Sequence, residues 1–141
     1  MKEILFDSQE FKESSDYADF VKENSGEGIL KIQAYTANQA YPLEGVNIKI
    51  FKEINGNKVI FFSGKTDSSG IIDNINLPAR PAKEFVNEKA DIVYTVYEIE
   101  ATYPKNNIKK NYQVSIYDNI KVIQPIRIPI NTLIEGDGNQ S

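Results

Sequence analysis

The sequence predicts an all-β fold, a seven-stranded sandwich preceded by a short helix, and three observations predict it. Apolar residues recur with a period close to two from Ile29 to Ile130, the spacing that gives a strand one buried face. Turn signals separate these stretches at intervals of roughly 8 to 12 residues, the rhythm of a sandwich. Two of the turns are strongly specified. In Pro42-Leu43-Glu44-Gly45-Val46 the proline fixes φ on entry and Gly45 supplies a positive φ; in Thr66-Asp67-Ser68-Ser69-Gly70 the Asp67 carboxylate can bond its own backbone before Gly70 releases the chain.

Taken in order, residues 1 to 28 are polar and acidic, with apolar positions at Phe11, Tyr17, Phe20 and Val21. Ser14, Ser15 and Asp16 offer N-cap oxygens, Asp19 stands three residues beyond Asp16, and the 17, 20, 21 spacing makes one apolar stripe, so a short helix is expected to tuck Tyr17 and Phe20 against the sandwich. Ser25-Gly26-Glu27-Gly28 stops it. The first strand, 29 to 36, turns Leu30, Ile32 and Ala34 one way and Lys31, Gln33 and Tyr35 the other. Val46, Ile48 and Ile50 define the second. Asn55-Gly56 is a type I′ hairpin signal leading into a third, 58 to 63, with Val59 and Phe61 on one face and Ile60 and Phe62 on the other. Ile71, Ile72, Ile75 and Leu77 make a fourth that ends at Pro78.

Residues 78 to 91 form the longest break, and loops of that length tend to be functional. From 92 to 103, Val93, Tyr97, Ile99 and Ala101 share one face, with Tyr94, Val96, Glu98 and Glu100 on the other. Tyr112, Val114 and Ile116 follow, then a last strand between 120 and 130 whose Pro125 and Pro129 predict a sheet edge. The expected organisation is an extension with a short helix over 1–27, the sandwich over 28–133 and a flexible tail over 134–141.

Composition narrows the chemistry. The 141 residues suit one domain, and 40% apolar content is enough for its core. The chain contains neither Cys nor His, which removes thiolate and imidazole nucleophiles, Ser-His-Asp triads, disulfides and the common transition-metal ligands. A net charge of −4 opposes a general nucleic-acid or anionic-membrane surface. No apolar run reaches signal-peptide or membrane-span length, so the expected location is cytoplasmic, without a signal peptide or membrane span.

Three constellations could carry function. Glu98 and Glu100 share a strand face, as an acid and base pair of a glycan hydrolase would; a solvated sheet face is the expected reading, since no Trp is present to stack a sugar. Asp67 with Asp73 loosely imitates a calcium loop but lacks its length and terminal glutamate, so turn formation is expected. Tyr35, Tyr41, Tyr94 and Tyr117, with Arg80 and Phe85, form the candidate partner surface, because tyrosines join apolar area to a polar tip. No catalytic, metal-binding or cofactor-binding residue and no cofactor are expected.

The run from Gly28 to Thr36, then Tyr41-Pro42-Leu43-Glu44-Gly45-Val46, then Thr66 through Ala79 resembles a transthyretin-like, carboxypeptidase-regulatory-type domain over residues 28 to 130. The likeness is to the clostridial version, also found beside spore cortex-lytic enzymes. It implies a seven-stranded sandwich without catalytic residues of its own. The related Cna-B-type repeats can crosslink a Lys to an Asn through a neighbouring acid; Lys31 and Glu98 occupy comparable strands, but Lys31 alternates away from the core, so no isopeptide is expected. These implications make the chain a noncatalytic binding or structural module accessory to spore or cell-envelope processes, with a protein or peptidoglycan partner presented to loops 37 to 45 and 78 to 91. The alternatives are a structural component of a phage-like or surface assembly and the carboxylate-based glycan hydrolase. Exposed edge strands leave homo-oligomerisation open.

Overall fold

A computed structural model of the protein describes residues 4–5, 14–38, 40–82 and 92–130. Its order is β1 (Ile4–Leu5), α1 (Ser15–Glu23), β2 (Gly26–Thr36), β3 (Asn47–Ile54), β4 (Asn57–Lys65), β5 (Ile71–Ala79), β6 (Thr95–Tyr103), β7 (Ile108–Ile116) and β8 (Lys121–Ile128). The seven long strands form the two expected sheets. One runs β1-β4-β3-β6-β7 and the other β5-β2-β8. All long-strand pairs are antiparallel except β2 with β8, which run parallel from Ile29↔Lys121 to Thr36↔Ile128. The two-residue β1, parallel to β4 at Ile4↔Asn57, was not anticipated; two residues carry no period.

Alternation builds the core. Leu30, Ile32 and Ala34 of β2 and Ile126 and Ile128 of β8 are buried, facing Ile48 and Ile50 of β3 and Tyr97, Ile99 and Ala101 of β6. Each fully buried Ile or Leu contributes about 1.5–3 kcal/mol through the water it leaves. Asn55 (φ 51°) and Gly56 (φ 83°) close the β3–β4 hairpin with both central residues left-handed, as a type I′ turn requires.

Four expectations change in detail. Ile50 pairs with Phe62 and Phe51 with Ile60, so Phe61 is a bulge; the extra residue brings both Phe61 and Phe62 against the core instead of onto opposite faces. β5 continues through Pro78 to Ala79, since Pro78 lies opposite Glu27 on an edge strand, where a missing N–H is tolerated; a second irregularity at Asp73 and Asn74 shifts its register against β2. β2 begins at Gly26, so the glycines expected to end the helix already belong to a strand. In α1 the N-cap is Ser14, whose hydroxyl accepts from the Tyr17 N–H at 3.2 Å, so the Asp16 and Asp19 spacing is not used; Phe20 is buried and Tyr17 half-buried, whereas Val21 is 40% exposed and lies off the packed stripe. Tyr17 and Phe20 do tuck against the sandwich, their rings 6.3 and 5.6 Å from Phe61, which meets Tyr97 edge-on at 5.2 Å.

β8 is an edge strand, as its prolines predict. Lys52 is the charged exception among the inward positions of β3: burial pushes its ammonium below the ordinary lysine range, opposed by Glu98 and assisted by Arg80. It donates to the Val96 carbonyl at 2.7 Å and sits 5.8 Å from the Tyr97 ring centre.

Candidate functional site

The candidate surface residues fall at opposite ends of β2. Tyr35 and Tyr41 lie at its C-terminal end; Tyr94, Tyr117 and Arg80 cluster near Gly28. Tyr35 is seven residue steps along the strand from Gly28, about 23 Å at the usual strand rise. Phe85 lies outside the described residues, as does the tail expected over 134–141.

The Tyr35 end is built on the backbone of Ala34. Its N–H donates to the Gly70 carbonyl at 2.7 Å and its carbonyl accepts from Leu43 N–H at 3.0 Å, so both expected turns are fastened to one residue. The Asp67 Oδ1 accepts from the N–H groups of Ser69 and Ile71, each at 2.9 Å, which is the turn-forming role. Gly70 holds φ 76°, and a Cβ there would stand 2.3 Å from the Ala34 carbonyl oxygen. Thr66, buried, was missed by sequence reasoning: its hydroxyl accepts from Val46 N–H at 3.0 Å and donates to the Leu43 carbonyl at 2.6 Å. On the other side, Thr36 N–H donates to the Tyr41 carbonyl (2.9 Å) and Tyr41 N–H to the Thr36 hydroxyl (3.1 Å).

Between these turns lies a cleft of about 170 Å³. Its floor is Gln33 to Tyr35, and its walls are Ala40 and Pro42 opposite Ser69 and Ile71. Tyr35 is cross-strand to Arg127, whose Nε donates to the Tyr35 hydroxyl at 3.2 Å while its guanidinium lies 5.6 Å from the ring centre. The ring is thereby fixed beside a cation. Tyr41, at the rim, is 56% exposed. Lys31 and Gln33 share the same solvent face of β2, and Lys121 pairs with Asp73 across it at 2.9 Å. That ion pair and the Asn74 N–H hold the Asp73 carboxyl below its ordinary range.

At the far end, Tyr94 and Tyr117 stack obliquely with ring centres 5.5 Å apart. A polar relay ties the surrounding segments together: Arg80 N–H donates to the Thr95 hydroxyl (3.0 Å), that hydroxyl donates to Asn24 Oδ1, and Asn24 Nδ2 donates to the Phe20 carbonyl (2.8 Å). Asp118 accepts from Glu27 N–H at 3.0 Å and Ala82 N–H at 2.9 Å. The Ala82 bond, then the Glu27 bond, lowers its pKa. A depression of about 310 Å³ lies here between Glu23, Arg80, Pro81, Ala82 and Val93. Residues 83 to 91, part of the second expected loop, are not among the described residues.

Glu98 and Glu100 do share one face, the solvent side of the five-stranded sheet. Glu98 accepts from the Gln113 amide at 3.0 Å, and Glu100 is paired with Lys109 at 3.1 Å and Lys49 at 3.9 Å. These are cross-strand contacts on an open sheet, worth a few tenths of a kcal/mol each. Lys31 stands on the solvent face of the other sheet, so the sandwich lies between it and Glu98 and separates the two members of the hypothetical crosslink.

Among the described residues no group of three Asp or Glu side chains is placed to hold a metal ion, and no helix is long and apolar enough to cross a membrane. No family model matches the sequence, nor does any curated protein. Solved structures similar to this chain include, each at 14% identity, 5-hydroxyisourate hydrolase of Klebsiella pneumoniae (TM-score 0.47, over 72% of this chain and 84% of that one) and transthyretin from Sparus aurata (TM-score 0.45, over 69% and 86%). One is an enzyme by name and the other is not, and neither assigns an activity to this chain; the described residues form a β-sandwich of seven long strands with one short helix and a two-residue first strand.

Proposed function

We propose that this chain is a noncatalytic binding module for cell-envelope material, with peptidoglycan as its partner and a spore or vegetative envelope as its setting. The observation that carries the reading is the Tyr35 cleft, where an aromatic ring locked by Arg127 lies beside the Gln33 amide and the Ser69 residue. An aromatic face with amide and hydroxyl neighbours suits a sugar ring, and Arg127 and Lys31 supply cations for the carboxylates of a stem peptide. The rigid attachment of both walls to Ala34 limits the ordering cost of binding. The spore or envelope setting rests on the sequence resemblance. The noncatalytic reading is supported by the positive roles of the available acids: Glu98 and Glu100 serve cross-strand contacts and Asp118 serves as a backbone staple.

Co-sedimentation of the full chain with insoluble peptidoglycan tests this. Binding should be saturable and fall about tenfold in Tyr35→Ala and Arg127→Ala, consistent with loss of one stacking and one charge-assisted contact. Unchanged binding in both variants overturns the assignment to this cleft. Release of soluble fragments from peptidoglycan, abolished by Glu98→Gln or Glu100→Gln in a folded protein, overturns the noncatalytic reading.

A further inference from the structure

The sheets are unequal on the side where β7 and β8 meet. Ile108 and Tyr112 are half-buried and Lys110 is exposed, although all three alternate onto the face of β7 that buries Val114 and Ile116. The three-stranded sheet ends at β8, one strand short of covering them.

The direction of the β8 backbone follows from its bonds to β2 and the segment after it. Ile29 N–H donates to the Ile120 carbonyl and Ala37 N–H to the Ile128 carbonyl, both at 3.0 Å. In a parallel ladder alternate residues turn both polar groups toward the same neighbour. Val122, Gln124 and Ile126 therefore serve β2, and Lys121, Ile123, Pro125 and Arg127 address the open side. Side chains already occupy half of that side. Arg127 N–H donates to the Tyr112 hydroxyl at 3.1 Å, and Pro125, which has no N–H, accepts from the Gln124 amide at 2.9 Å. These substitute for the bonds of a neighbouring strand. Lys121 and Ile123 have no such substitute among the described residues, and Ile123 leaves 52% of its surface exposed.

Charge identifies what fits. Neither strand contains an Asp or Glu; Lys109 and Lys121 are paired with Glu100 and Asp73, while Lys110 of β7 and Arg127 of β8 have no carboxylate partner among the described residues, in a chain whose net charge is −4. We propose that the Lys121–Ile123 edge accepts an extended acidic segment of a partner protein as an added strand. Backbone bonds supply the attachment, and the basic margin selects acidic side chains. The edge shares Arg127 with the Tyr35 cleft, but its backbone attachment at Lys121 and Ile123 stands without the reading given to that cleft.

The test is an NMR titration of the full chain with the capped hexapeptide Glu-Val-Glu-Val-Glu-Val, reading amide exchange. The peptide should slow exchange at Lys121 and Ile123 about tenfold. Ile123→Pro, which removes the edge N–H at an exposed position, should weaken binding about tenfold. Ile123→Thr keeps that N–H and should bind, whereas a peptide with Lys in place of Glu should not. No protection at these amides, equal binding by Ile123→Pro, or equal binding of the Lys peptide overturns the proposal. Protection that rises with protein concentration in the absence of peptide assigns the edge to a second copy and also overturns it.

Discussion

Gly70 and Gly45 both hold positive φ, 76° and 85°, but only Gly70 faces backbone where its Cβ would be. Gly45→Ala should therefore cost about 1 kcal/mol for the left-handed conformation alone, and Gly70→Ala more than about 2 kcal/mol, measured by denaturant unfolding. Asp118 gives a pH dependence of known sign. Its folded pKa is depressed, so its contribution is present above the ordinary aspartate range and is lost as pH falls through the folded value. Acidification should accelerate exchange of the Ala82 and Glu27 amides beyond the intrinsic pH effect, and Asp118→Ala should show fast exchange there at every pH. Asp67 was legible because its partners are two and four residues away. Asp118 was not, since its partners lie 91 and 36 positions off and no local pattern links them.

Among the elements, α1 and the start of β6 are joined through Asn24 and Thr95, both buried. Thr95→Val removes the donor to Asn24 and the acceptor of Arg80 N–H, leaving the buried Asn24 Oδ1 and the part-buried Arg80 N–H without these partners, so stability should fall by about 1–3 kcal/mol. Helix amides should exchange faster in that variant if α1 is held as described. Strand faces were legible wherever a strict alternation is kept, as in β2 and β6. They were misread at Phe61, because a bulge inserts one residue without changing the apolar character of the run. The prolines of β8 correctly indicated an edge, yet its parallel pairing with β2 depends on the chain path through both sheets and has no local signal.

For the whole molecule, the sequence identified the aromatic residues of the surface but not their grouping. Period-two alternation places Tyr35 outward; only the pairing of β2 with β8 brings Arg127 onto it, 92 positions away. The five candidate positions among the described residues accordingly divide between the two ends of β2, and at the Tyr35 end a cation holds the ring beside a cleft. The most direct test of the central claim is a co-sedimentation isotherm on insoluble peptidoglycan for the full chain beside Tyr35→Ala. Saturable binding by the parent and binding about tenfold weaker in the folded variant is the predicted result; an equal isotherm for the two proteins, or no binding by either, would contradict it.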